Sequence, residues 1–341
     1  MVEIITPRQI IKGLLEGVAP PRPLFLPIVF SHGARIENLP VRTFLTNPTK
    51  ITNSLRQIRA HLRSDGITCY FDPFLEAEEL GGVVHWDAEG RTPSLHWPQN
   101  TAAGELPTRI GSFTETSKGS RVAVAVEVIR RLKSVVRDDC LLTAGVTGPI
   151  TLAALLSQVN PNDALQYSAL SASALDFATS VISGIAKALV EAGANAIFIR
   201  EDILPEFSAE ECAEWTSQLA TTVNIIRFYQ ALPVLLLTHK ESFTTNRDVI
   251  LRQHWDCLIC PVLNGVLPGG LAEGLESGGA QFGVALPPET FGDSGSGAGE
   301  LNESLRRAVS QLRPAIITTT CDVASAADVE RLNELWENVH R

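Results

Sequence analysis

Short apolar runs alternate along the chain with stretches whose apolar residues recur at helical spacing. The runs are LFLPIVF (24–30), ITCYFD (67–72), LLTAGV (141–146), AIFIR (196–200), PVLLLT (233–238), DCLIC (256–260), AQFGVAL (280–286) and AIITTT (315–320). Continuous apolar strands separated by helices signal a parallel sheet buried on both faces. Eight such units predict an α/β protein, a single (β/α)8 TIM barrel domain over residues 1–341. If one or two runs are helical instead, the sheet stays open.

Thr6-Pro7 opens an N-terminal helix, because the hydroxyl can cap it and the proline is preset for a first turn. Ile10, Ile11, Leu14 and Leu15 give its apolar stripe, and Gly17 ends it. Asn47-Pro48 starts a second helix, with Ile51, Leu55, Ile58 and Leu62 on one face. Helical spacing also covers roughly 117–137, 163–192, 208–228, 244–252 and 300–312. A last helix comes after Ser325 and Asp328, with Val329, Leu332, Leu335, Trp336 and Val339 along one side. Residues 83–99, VVHWDAEGRTPSLHWPQ, break the alternation and read as an inserted β-hairpin. Its tryptophans either pack the hairpin onto its own domain or cover a pocket mouth. GDSGSGAGE (292–300) reads as a loop and lacks the Lys-Ser/Thr ending of a phosphate loop.

Composition narrows the function classes. Apolar residues make up 45% and charged residues 19%, which fits an ordinary globular core. A formal net charge of −10 disfavours nucleic acid and anionic membranes as partners. The apolar runs look too short to cross a bilayer, which needs about 20 residues. The N-terminus has no leader-like pattern, and six scattered cysteines suit free thiols, so the chain is expected in the cytoplasm. Cys257 and Cys260, with His254 before them, could form a metal constellation. A lone Cys-x-x-Cys inside an apolar run reads instead as core.

In such a barrel the polar residues just beyond each strand carry the chemistry. These are Ser31 and His32, Asp72, Thr147, Glu201 and Asp202, His239 and Glu241, and Cys321 with Asp322. In an extended chain His239 and Glu241, two apart, point to the same side. With Cys321 they could give zinc three ligands and leave a fourth position open, the pattern of a catalytic zinc. The alternative is a solvated loop pair and a thiol filling the rim.

The stretch from FLPIVFSHGARIENLP through SDGITCYFDPFLEAEELGG resembles the N-terminal part of the uroporphyrinogen decarboxylase superfamily. GVTGPITLAALL resembles its glycine-proline segment, and LLLTH with the later IITTTCDV resembles its C-terminal half. The resemblance implies a (β/α)8 barrel. It also implies one of two activities, a cofactor-free decarboxylation or a zinc-dependent methyl transfer between corrinoids and thiols. Asp72 matches the decarboxylase aspartate that contacts pyrrole nitrogens. The family's Arg-Gln-Ala-Gly-Arg stretch is here Phe30-Ser31-His32-Gly33-Ala34 with Arg35 nearby, its tyrosine is Ala154 or Leu155, and its late histidine falls near Cys321. A polycarboxylate substrate would find few cations. The methyltransferase pattern, His-x-Cys and a distant cysteine, maps onto His239, Glu241 and Cys321, with glutamate in place of the first cysteine.

The leading expectation is therefore a zinc-assisted methyltransferase working on a corrinoid or small methyl donor and a thiol-type acceptor. Zn2+ is its expected cofactor, and the corrinoid arrives free or on a partner protein. Asp72, His32 and Arg35 are its catalytic candidates. Asp72, Thr147, Glu201, Asp202 and Trp86 are its substrate-binding candidates. The alternatives are a metal-independent carboxy-lyase built on Asp72 with His32 or Arg35, and a barrel that binds a corrinoid or tetrapyrrole without catalysis.

Overall fold

The computed structural model describes residues 5–87, 93–98, 119–158, 166–202, 204–261, 281–287, 313–323 and 329–340. All eight apolar runs carry a strand of one parallel sheet. The strands are β1 (Leu24–Phe25), β2 (Gly66–Tyr70), β5 (Leu141–Thr147), β6 (Ala196–Glu201), β7 (Leu232–Leu237), β8 (Cys257–Pro261), β9 (Gln281–Leu286) and β10 (Ile316–Thr319). Their order, β1-β10-β9-β8-β7-β6-β5-β2, wraps the sheet into a (β/α)8 barrel. The predicted hairpin is present as β3 (Val83–Trp86) and β4 (Pro93–His96), paired antiparallel.

Helix α1 (Pro7–Leu15) starts as its sequence requires. Thr6 and Gln9 form a reciprocal capping box, and Gly17 lies just past the helix end at φ 76°, a left-handed conformation open to glycine. The short helices α2 (His32–Ile36) and α3 (Val41–Phe44) lead into α4 (Pro48–His61), which Asn47 caps. Next come α5 (Leu75–Glu79), α6 (Arg121–Lys133), α7 (Pro149–Leu156), α8 (Ala172–Ala192), α9 (Ala209–Phe228), α10 (Lys240–Ile250) and α11 (Val329–His340). The hairpin turn, the 292–300 loop, the 300–312 helix and the Ser325–Asp328 cap lie outside the described residues. Helix α8 departs from the sequence reading. With 21 residues it is long and apolar enough to cross a bilayer, although polar residues interrupt every apolar run within it. Here it packs against the barrel, with Leu175, Val181, Ile182, Ile185 and Leu189 buried.

The first run forms a strand of only two residues: Leu24 N and Leu26 N donate to Ala315 O and Ile317 O of the β10 side, and Pro27, on the side facing β2, has no N–H to offer. Side chains take over where the ladder stops. On the β10 side the Thr318 hydroxyl donates to the Leu26 carbonyl at 2.6 Å, and Thr319 Oγ1 accepts from Ile28 N at 3.1 Å. On the β2 side Asp65 is the clasp, accepting from Phe25 N at 2.8 Å and from both terminal nitrogens of Arg22 at 2.8 and 2.7 Å. Asp65→Asn halves this acceptor set at a buried seam. It is expected to lower unfolding stability by about 2 kcal/mol, read as a shift in urea midpoint.

Candidate active site at the strand C-termini

Asp72 stands two residues beyond β2, where the chain turns into α5. Its Oδ1 accepts from Phe74 N at 2.8 Å, and its Oδ2 is ion-paired to Nη1 of Arg121. Arg121 is the first residue of α6, placed there by the Ser120 cap, and its Nε reaches Glu78 of α5. Both Asp72 and Arg121 are buried. Beneath them the Tyr70 hydroxyl donates to the Leu45 carbonyl at 2.9 Å. Burial first, and then the charge of Asp72, hold that phenol well above its ordinary range.

Asp322 joins this group from the end of β10. Its carboxylate accepts from Phe30 N at 2.8 Å and Ser31 N at 2.9 Å, which ties β10 to the segment after β1. Burial pushes its carboxyl up to about 6, and the negative charge of Asp72 acts in the same direction. A carboxyl with a raised pKa, within reach of the field of Asp72, therefore lies at the barrel mouth.

Two of the predicted substrate-binding residues, Thr147 and Glu201, are hydrogen-bonded within the fold. The Thr147 hydroxyl and amide both bind Glu76, at 2.7 and 3.0 Å. Glu201 is fully buried and accepts from Ile150 N (3.1 Å), Thr151 N (2.9 Å) and Thr151 Oγ1 (2.7 Å). It caps α7 from the neighbouring strand, since Gly148 at the N-cap has no side chain to do so. A methyl group on Gly148 would overlap that carboxyl. Burial, only partly countered by these hydrogen bonds, raises Glu201 to about 7. Asp202 is half-buried, accepting from the Thr238 hydroxyl at 2.9 Å and paired with Arg200 at 2.9 Å.

His32 is the half-buried first residue of α2, and Arg35 is exposed on the same helix. Trp86 is half-buried on the hairpin, and Trp97 beyond it donates to the Leu155 carbonyl of α7 at 3.0 Å. The hairpin thus rests on α7. Cys257 and Cys260 are core, with burial pushing both thiols up.

The extended geometry expected for His239 and Glu241 does not hold. Helix α10 begins at Lys240, so His239 is its N-cap and Glu241 lies in its first turn, both exposed. Cys321 lies beyond β10, with β9 and β8 between that strand and β7. Among the described residues no three His, Cys, Asp or Glu side chains gather in a way that would hold a metal. As placed, the three predicted ligands do not fit zinc.

Residues 6–227 match the family model described as uroporphyrinogen decarboxylase (URO-D). The chain belongs to the uroporphyrinogen decarboxylase family. A stretch of this family member 131 residues long is 27% identical to the methylcobamide:CoM methyltransferase MtaA of Methanosarcina barkeri, covering 37% of each protein. The match therefore spans little more than a third of that relative. A solved methyltransferase from Methanosarcina mazei superposes with a TM-score of 0.75 over 98% of both chains at 16% identity, a likeness of fold.

The strand ends alone do not point to Arg121, and they leave Asp322 without a role. Arg121 meets Asp72 across 49 positions, and no local spacing signals that contact.

Proposed function

We propose that this family member is a methyltransferase that moves a methyl group between a corrinoid, free or on a partner protein, and a thiol-type acceptor bound at the barrel mouth. The sequence match to a methylcobamide:CoM methyltransferase carries the reading. The mouth is compatible with it. The charged pair Asp72–Arg121 sets a fixed polar wall for orienting the acceptor. In the transfer the donor's carbon–cobalt bond breaks and a carbon–sulfur bond forms, while the thiol proton leaves. Asp322, whose carboxyl is pushed up to about 6 at the same end of the barrel, takes that proton. Zinc is given no part in this scheme, because His239, Glu241 and Cys321 do not converge.

The decisive experiment incubates the purified protein with methylcobalamin and small thiols and monitors the cobalamin spectrum and the thioether. Transfer above the uncatalysed rate supports the reading. No transfer from any donor, with carbon dioxide released from a small acid, would replace it with the carboxy-lyase reading. That reading has one observation in its favour, a guanidinium converging on Asp72, although the residue is Arg121 and not Arg35.

Asp322 also sets an expected pH dependence. For a base that must be ionised, kcat/KM rises with pH through about 6 and then levels. Asp322→Asn is expected to lower kcat/KM by about 100-fold and to remove that rising limb. A pH profile of both proteins checks it.

A further inference from the structure

We infer that the opposite, N-terminal face of the barrel carries a second site, for a small multiply charged anion bearing phosphate or carboxylate groups. A groove of about 630 Å³ runs between α1 and the bases of β5, β6 and β7. This volume is ample for a ligand larger than a single ion. Its lining includes Arg8 and Lys12 from α1, Arg227 from the end of α9, Asn195 just before β6, and Gln230 just before β7. Glu16 is the one carboxylate among its described lining residues. Arg8 and Arg227 each pair with an acid outside the lining, Asp138 and Asp256, so Lys12 and the spare N–H groups of Arg8 are what the groove offers an anion.

Arg8 pairs with Asp138 through Nη1 at 2.8 Å, yet its Nε is buried with no hydrogen-bond partner. Buried donors without acceptors are costly, and an unfilled acceptor position beside them is the usual explanation. Asn195, also in the lining, accepts from Leu142 N through its Oδ1 at 2.9 Å. Arg227 contributes to the groove wall, but its guanidinium pairs at 2.5 Å with Asp256, which lines a neighbouring cavity. Gln230 holds φ 58°, a left-handed conformation that costs a residue other than glycine about 1 kcal/mol. The unpaired Arg8 Nε, one helical turn from Lys12, favours an anion over a cation or a neutral sugar.

Such a ligand would bridge α1 to the bases of the strands. Helix α1 is held to the barrel by the buried Ile10, Ile11 and Leu14 and tied by Arg8 to Asp138. The site is on the face away from Asp72, so it stands whatever the reaction at the mouth.

The test titrates inorganic phosphate and, separately, citrate into the full chain by calorimetry at constant ionic strength. Lys12→Glu and Arg8→Gln variants are titrated alongside. Saturable binding of at least one anion, weakened tenfold or more in both variants while their melting temperatures in chloride stay within a few degrees of wild type, is the expected result. Phosphate alone would assign a phosphorylated ligand, and citrate alone a polycarboxylate. No saturable heat with either anion, or affinity unchanged in the variants, overturns the proposal. The variants also separate binding from the general stabilising action of these anions, which would persist in both.

Discussion

Arg121→Met is expected to lower the stability of the barrel by about 3–5 kcal/mol, because it strands a buried aspartate without its counter-charge. Asp72 is 5% exposed and Arg121 is 8% exposed, so water cannot replace the lost guanidinium. The hydrogen bond from Phe74 N holds the carboxylate in place and prevents its escape to solvent. The double variant Arg121→Met with Asp72→Leu removes both charges and is expected to recover most of the loss. A buried pair exchanged for packed apolar groups is often neutral. Urea unfolding of wild type, single and double variants measures both differences. Recovery in the double variant, together with loss of any methyl transfer, would separate the pair's part in the site from its part in the fold.

Glu201→Ala is expected to cost about 4 kcal/mol, since it leaves three buried donors at the head of α7 without an acceptor. The same group gives stability a pH dependence of definite sign. Its pKa is about 7 in the fold against an ordinary value of 4.5, so the folded state holds the proton more tightly than the unfolded chain. That contribution is full below pH 4.5 and is lost as pH rises through 7. Over this window the wild type is expected to lose about 3 kcal/mol from this group. Glu201→Gln, which cannot ionise, should lack that slope. Chemical denaturation at about pH 5 and about pH 8 on both proteins checks it.

The barrel is legible in the sequence because its strands are buried on both faces and read as unbroken apolar runs. The first strand shows the limit of that signal. LFLPIVF is apolar throughout, but its backbone bonding to β10 stops at Leu26 N, Pro27 has no N–H for the β2 side, and threonine hydroxyls and Asp65 hold the seam. The site is less legible, for two physical reasons. A polar residue after a strand can serve the fold as easily as a ligand, and Glu201 is recruited by a helix whose own N-cap is glycine. The run PVLLLT carries an extended reading on through His239 and Glu241, whereas α10 starts earlier than its apolar spacing suggests. Phe243 and Asn246, both buried, draw its first turns against the barrel. Asp72 is visible as an acid closing a strand. Its cation is not, since that pairing exists only after folding.

The seam beside β1 has a consequence for how the chain is made. Its fastenings reach almost end to end: Phe30 and Ser31 bind Asp322, and Ile28 binds Thr319, across separations of 291 or 292 positions. A chain emerging from the ribosome can stack β2 and β5 to β9 in order of synthesis, each on the strand before it. It cannot shut the ring until the last strand is free of the exit tunnel. Until then β1 and β9 wait with unpaired edges, the kind of surface that nascent chains must shield from one another.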